Sequence, residues 1–107
     1  MSQITSLSAC EIAERVRTRD VSPVEVVEAH LIRIEKINPK VNAFIQVDAE
    51  GAIKRAREAE AAVLQGKPLG PLHGVPISIK SSIDVAGFRC EAGTKLRAGN
   101  TAISDAP

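Results

Sequence analysis

The sequence predicts an α/β fold, in which about three helices over residues 5–65 precede a loop-and-strand half over residues 66–107. Apolar residues recur at helical spacing in the first half. From Gly66 onward glycine and proline become frequent and the helical period ends. Because neither half can bury enough apolar surface alone, the chain is expected to form one small domain over residues 1–107.

The first two helices are predicted from capping residues that precede apolar stripes. Ser8 followed by Glu11 is typical of a capping box at a helix start. Ser22 with Glu25 forms a second such pattern ahead of a longer stripe. The Asn38-Pro39 pair is expected to end the second helix, because the residue before a proline avoids the helical region.

A strand and a third helix follow. Residues 41–47 are predicted to form a strand, because they surround two large apolar residues. Asp48 is expected to begin the third helix, which should run to about Gln65. Gly66 is a suitable C-terminal stop, since glycine adopts the left-handed conformation that ends many helices.

The segment 70–80 carries the chemistry of this chain. Its aliphatic residues alternate with polar ones and proline, and this period of two predicts a strand over residues 75–80. A turn is expected at Ser81 and Ser82, followed by a short strand over residues 83–85. Lys80 closes the first strand, and a lysine held on a mostly buried strand is a candidate base, because burial disfavours its charged form.

Residues 70–80, with residues 83–87 and 91–94, resemble the N-terminal part of the amidase signature family. The resemblance extends over the whole chain and is most specific in residues 74–80. It implies that the strands belong to a mixed sheet that is incomplete here, since the family's later sequence supplies their partners. In that family the lysine closing this strand belongs to a Ser–cis-Ser–Lys triad, so the resemblance assigns a catalytic role to Lys80.

The same resemblance implies an amide hydrolysis through an acyl-enzyme. The neutral lysine takes a proton from a serine in a cis peptide, which relays it from the nucleophilic serine. Both serines lie in a Gly/Ser-rich segment further along the family's chain, and this sequence contains no such segment. The isolated chain is therefore expected to be inactive. Ser104 and Asp105 are good helix caps just before Pro107, and with the resemblance they predict truncation.

Other functions remain open at this point. The motif is shared with the A subunit of glutamine-dependent amidotransferases. A non-catalytic truncated module or subunit fragment is a second alternative, favoured if no separate chain supplies the missing segment. An unrelated small α/β domain would require the motif of residues 74–80 to occur by chance.

The polar residues near Lys80 have simpler interpretations. Ser78 shares the lysine's face and either orients it or satisfies a polar edge. Ser81 stands where the family most often has an acidic residue, and Ser82 is expected in the turn. His73 is interpreted as a structural loop residue because no acid–base partner is evident. His30 is expected to flank the packed stripe of the second helix.

The remaining candidates are two cysteines and a glycine-rich loop. Cys10 and Cys90 lack the spacing of a metal site and are expected to be small buried or half-buried thiols. Backbone amides and a hydroxyl at Gly93 and Thr94, near Gly99, could face the site of a complete enzyme. A plain turn fits that loop equally well.

The composition of the chain argues against some classes of binding partner. The net charge is +1 with both signs interspersed, and only two aromatic residues are present, which argues against a nucleic-acid surface. No apolar run approaches the ~20 residues that span a bilayer, and the N-terminus lacks the features of a signal peptide, so a cytoplasmic location is expected. No cofactor or metal motif is evident. The resemblance to the amidase signature family implies a small-molecule amide as the substrate of the complete enzyme. A protein partner, or self-association, is expected through open sheet edges.

Overall fold

The computed structural model describes residues 3–107 of the protein. By their contacts, these residues form two compact units, residues 3–76 and residues 77–107. The first unit contains three α-helices, which are α1 (Ala9–Arg17), α2 (Pro23–Val41) and α3 (Ala49–Leu64). Short 3₁₀ helices lie at Ile4–Ser6 in the first unit and at Lys95–Arg97 in the second.

The helix starts are confirmed by hydrogen bonds at the caps. The Ser8 hydroxyl accepts a hydrogen bond from the Glu11 N–H at 3.1 Å and begins α1. At the start of α2 the bonding is reciprocal, because the Ser22 hydroxyl accepts from the Glu25 N–H at 3.1 Å and the Glu25 carboxylate accepts from the Ser22 N–H at 3.3 Å. Each cap satisfies backbone donors that have no partner within the first helical turn.

The predicted end of α2 at Asn38 and Pro39 is wrong, since the helix continues to Val41 with Pro39 inside it. The Asn38 side chain holds the chain that follows the helix. The Asn38 Nδ2 atom donates a hydrogen bond to the Phe44 carbonyl at 3.0 Å, and the Asn38 Oδ1 atom accepts one from the Phe44 N–H at 2.8 Å. Asn42 then ends the helix in the left-handed conformation, with φ 51°.

The third helix is confirmed at both ends. The Asp48 carboxylate accepts a hydrogen bond from the Gly51 N–H at 3.1 Å, which caps the start of α3. Gly66 follows the helix with φ 70°, in the region where a side chain is disfavoured. Its N–H donates to the Val63 carbonyl at 3.1 Å, so the predicted stop is confirmed as well.

The core of the first unit lies between the three helices. Its central cluster consists of Ile12 and Val16 of α1, Val26 of α2 and Val63 of α3. Arg19 fastens the end of α1 to α3, because its guanidinium donates to the Val63 carbonyl at 3.1 Å. The surrounding shell of partly buried apolar residues includes two from the loop that follows α3, and it consists of Ile4, Leu7, Val21, Leu69 and Val75.

The predicted α/β fold, with strands of an incomplete mixed sheet, is wrong for the described residues. Residues 3–107 contain three α-helices, two short 3₁₀ helices and no strand or sheet. Residues 41–47, 75–80 and 83–85 are irregular or in turns, apart from Val41 at the end of α2. Alternation of apolar residues specifies the faces of a segment, but a strand also requires a neighbouring strand for its ladder of hydrogen bonds. No segment of the described chain pairs with residues 75–80, and Pro76 has no N–H to donate.

The second unit, residues 77–107, is built from turns around one antiparallel bridge. Arg89 and Thr101 form this isolated bridge, in agreement with the irregular or hairpin-like structure predicted for this region. Asp105 does not cap a helix within the described chain, since its carboxylate accepts a hydrogen bond from the Ala86 N–H at 2.8 Å. Three backbone hydrogen bonds flank the bridge, from Gly87 to Ala102, from Ala102 to Phe88 and from Cys90 to Asn100.

Candidate functional site

Lys80 begins a tight turn in the second unit. Its carbonyl accepts a hydrogen bond from the Ile83 N–H at 3.0 Å, which confirms the turn predicted at Ser81 and Ser82. Lys80 and Ser78 are exposed, and Ser81 is half-buried. The mostly buried setting predicted for Lys80 is therefore wrong for this chain. The described residues do not supply the desolvation that a lysine base needs.

The loop containing Gly93 and Thr94 lies beside this turn. The Ala92 N–H donates to the Ser81 carbonyl at 3.2 Å, which joins the two segments within the second unit. Ala92 and Gly93 both have positive φ angles, 51° and 68°. The Thr94 hydroxyl accepts from the Leu96 N–H at 3.4 Å and caps the 3₁₀ helix. The loop is thus a capped turn placed next to the residues that follow Lys80.

Cys90 is buried in this unit, with 2% of its surface exposed. A hydrogen bond to the Asp84 carboxylate raises the pKa of the Cys90 thiol, as do burial and the Asp84 charge, while Arg97 acts in the opposite direction. The Cys90 carbonyl accepts from the Asn100 amide at 3.0 Å and from the Arg97 guanidinium at 3.3 Å. No local motif indicates this cluster, because its members are scattered over residues 84–100.

We expect the two cysteines to differ strongly in reactivity towards iodoacetamide at pH 8. Cys10 is exposed on α1, whereas Cys90 is buried with a raised thiol pKa and so has little thiolate. Mass spectrometry of the native chain should find Cys10 alkylated well before Cys90, and urea should remove the difference. Equal rates for both thiols in the native chain would contradict the buried position of Cys90.

Both histidine rings contact carbonyl oxygens of helices in the first unit. His73 Nε2 lies 2.9 Å from the Ala59 carbonyl oxygen of α3. His30 Nδ1 lies 2.7 Å from the Val26 carbonyl oxygen within α2. In the described part of the chain, no three His, Cys, Asp or Glu side chains are grouped as metal ligands. Within residues 3–107, no helix has the length and apolar character needed to cross a membrane.

Comparison with known proteins places the chain in a family. Residues 25–107, more than half of the chain, match the sequence model of the Amidase family, and the match includes Lys80 and the turn that follows it. The chain belongs to the Amidase family. The resemblance to amidase signature proteins inferred from residues 70–80 is therefore confirmed.

Curated relatives of this Amidase chain include two kinds of protein. It is 43% identical over 99 residues to the A subunit of the glutamyl-tRNA(Gln) amidotransferase of Salinispora arenicola, covering 92% of the chain and 20% of the relative. It is 40% identical over 100 residues to the acylamidase of Rhodococcus erythropolis, covering 94% of the chain and 21% of the relative. The chain thus spans about a fifth of the length of the curated relatives it matches.

Solved structures agree with this assignment. A bacterial aryl acylamidase of the amidase signature family superposes with a TM-score of 0.82 at 33% identity, over 90% of this chain and 20% of that one. A chain of a vestigial protein complex, which reveals the evolutionary origins of an s-triazine catabolic enzyme, superposes with a TM-score of 0.87 at 30% identity. That second match covers 94% of this Amidase chain and 22% of the solved chain.

Proposed function

We propose that this Amidase chain is the N-terminal part of an amidase-type C–N hydrolase, in which Lys80 is the catalytic base of a Ser–cis-Ser–Lys mechanism. The family match over residues 25–107 carries the proposal, because it includes the segment 74–80 in full. The acylamidase and aryl acylamidase similarities support hydrolysis of an amide. A small-molecule amide is the proposed substrate.

The proposed chemistry begins with a neutral Lys80. Its amine takes the proton of the cis-peptide serine, and that serine takes the proton of the nucleophilic serine. The nucleophile's oxygen then bonds to the amide carbon, the C–N bond breaks, and the amine leaves with the proton that Lys80 returns through the cis-peptide serine. Water then bonds to the acyl carbon, the bond between that carbon and the serine oxygen breaks, and the serine regains a proton from the water. The pKa of a free lysine is ~10.4, so a base at neutral pH must be desolvated.

The 107-residue chain is proposed to be inactive alone. Its sequence has no Gly/Ser-rich segment to supply the two serines, and Lys80 is exposed in the structure. In the proposal, the protein segment that carries the serines also covers Lys80. That covering would supply the desolvation that residues 3–107 do not provide.

Two alternatives keep specific support. The amidotransferase A subunit is favoured by the 43% identity to the Salinispora arenicola protein, and it would place the chain in an assembly with other subunits. A non-catalytic module would bind a protein partner. The described residues form no sheet, so the open sheet edges predicted for association are not present in them. Exposed apolar side chains, including Ile77, Leu96 and Ile103, offer a surface for such a partner. The cytoplasmic location stays a prediction.

A chimera tests the proposal directly. The matching segment of the Rhodococcus erythropolis acylamidase, 100 residues long, is replaced by this chain. We expect the chimera to hydrolyse an acyl amide, because the aryl acylamidase superposes closely on this chain. The 107-residue chain alone, as the matched control, should show no turnover.

Two results would contradict the proposal. A chimera that lacks activity, whether folded or not, would show that this chain cannot replace the segment of an acylamidase. Turnover by the 107-residue chain alone that is lost in Lys80→Ala would show that no further serines are needed.

A further inference from the structure

We infer that His73 is a positioning residue, whose ring fixes the loop of residues 70–74 to α3 and so fixes the start of the segment that carries Lys80. The inference rests on the proposed role of Lys80. His73 Nε2 lies 2.9 Å from the Ala59 carbonyl oxygen, and His73 is half-buried. Because a carbonyl only accepts, Nε2 carries the proton of this hydrogen bond.

The loop is also held by its own backbone. The His73 N–H donates to the Gly70 carbonyl at 3.2 Å, and the Val75 N–H donates to the Leu72 carbonyl at 3.1 Å. These two hydrogen bonds close two overlapping backbone turns, residues 70–73 and residues 72–75, and His73 belongs to both. The ring therefore anchors a loop that is already folded, and its hydrogen bond joins that loop to α3.

Gly74 brings the same loop against the other two helices. A Cβ atom at Gly74 would lie 3.0 Å from Val16 of α1 and 3.2 Å from Pro23 of α2. Its φ of 84° also favours glycine. On either side, Leu69 and Val75 pack on the core cluster. All three helices of the first unit thus contact residues 69–75, and His73 supplies the polar contact among them.

The anchor matters for Lys80 because the chain between them is short. Lys80 follows Val75 by five residues, and a fully extended chain of that length spans at most about 18 Å. Fixing Val75 therefore fixes the point from which the chain leads to Lys80. A displacement of about 1 Å at reacting groups can cost roughly 10²-fold in rate. The His73 ring is hydrogen-bonded to the Ala59 carbonyl, so we assign His73 no role in the proton transfers of the reaction.

The test compares His73→Leu, which has no donor, with His73→Gln, whose amide nitrogen can donate at a similar reach. The first readout is hydrogen exchange at the Val75 amide of the 107-residue chain. We expect His73→Leu to raise the exchange rate of this amide about tenfold, as for the loss of one hydrogen bond. Amides in the middle of α2 should be unchanged, and His73→Gln should restore the protection.

The second readout is kinetic and uses the acylamidase chimera. His73→Leu should lower kcat about tenfold with little change in KM, and His73→Gln should restore kcat. Unchanged exchange at Val75, or faster exchange throughout α2, would overturn the local anchor. Faster exchange at Val75 with unchanged kcat would overturn the positioning role. An inactive unmodified chimera would instead count against the proposed function, since the exchange readout needs no activity.

Discussion

Replacing Lys80 by alanine in the acylamidase chimera is expected to lower kcat by about 10²–10⁴-fold, the usual contribution of a general base. Lys80→Arg should be as inactive as Lys80→Ala, because a guanidinium keeps its proton at any working pH. Lys54→Ala is the matched control. Lys54 is an exposed lysine of α3, and its loss should leave kcat unchanged.

The arginine variant separates two roles for the lysine. Activity retained in Lys80→Arg but lost in Lys80→Ala would show that the lysine acts through its positive charge. Activity retained in both variants would remove Lys80 from the mechanism. Either result contradicts the proposed proton transfer, and the steady-state rate of amide hydrolysis measures both.

Replacing Gly74 by alanine is expected to lower the free energy of unfolding of the 107-residue chain by roughly 2–5 kcal/mol, the sum of a backbone and a packing cost. The left-handed backbone at Gly74 costs an alanine about 1–2 kcal/mol. The new Cβ would lie only 3.0 Å from Val16 and 3.2 Å from Pro23, and such overpacking adds about 1–3 kcal/mol. Urea denaturation followed by circular dichroism measures the change.

Gly66 provides a matched control for this substitution. It has a similar φ of 70°, but a Cβ there would find no atom within 4 Å. Gly66→Ala should therefore cost only the backbone contribution, about 1–2 kcal/mol. Equal losses at Gly66 and Gly74 would contradict the close approach of the loop to α1 and α2. A smaller loss at Gly74 than at Gly66 would contradict it as well.

The helices could be predicted from the sequence because their signals are local. Ser22 and Glu25 lie three residues apart, and their side chains bond to backbone groups within the same turn. The predicted end of α2 is too early, because α2 continues past Pro39 and Asn42 ends it in the left-handed conformation. The rule about the residue before proline is a preference, and a proline in the last turns of this helix does not follow it.

The predicted strands are wrong for a different reason. Ile77 and Ile79 are separated as the two-residue period requires, but they are 76% and 46% exposed, and the described chain offers them no neighbouring strand. Sheet formation depends on distant segments, which a local pattern does not identify. The burial of Lys80 follows from that strand and fails with it. The cluster of Cys90, Asp84 and Arg97 escapes prediction because turns, rather than a motif, bring these residues together.

The family was predicted from residues 70–80 and is confirmed, whereas the role of Lys80 stays a proposal. A crystal structure of the active chimera tests that role most directly, through the distance from Lys80 Nζ to the nearest serine hydroxyl. We predict a separation of about 2.6–3.2 Å, within hydrogen-bond reach of a serine in the Gly/Ser-rich segment. A Lys80 amine in solvent, with no serine hydroxyl within that reach, would contradict the account.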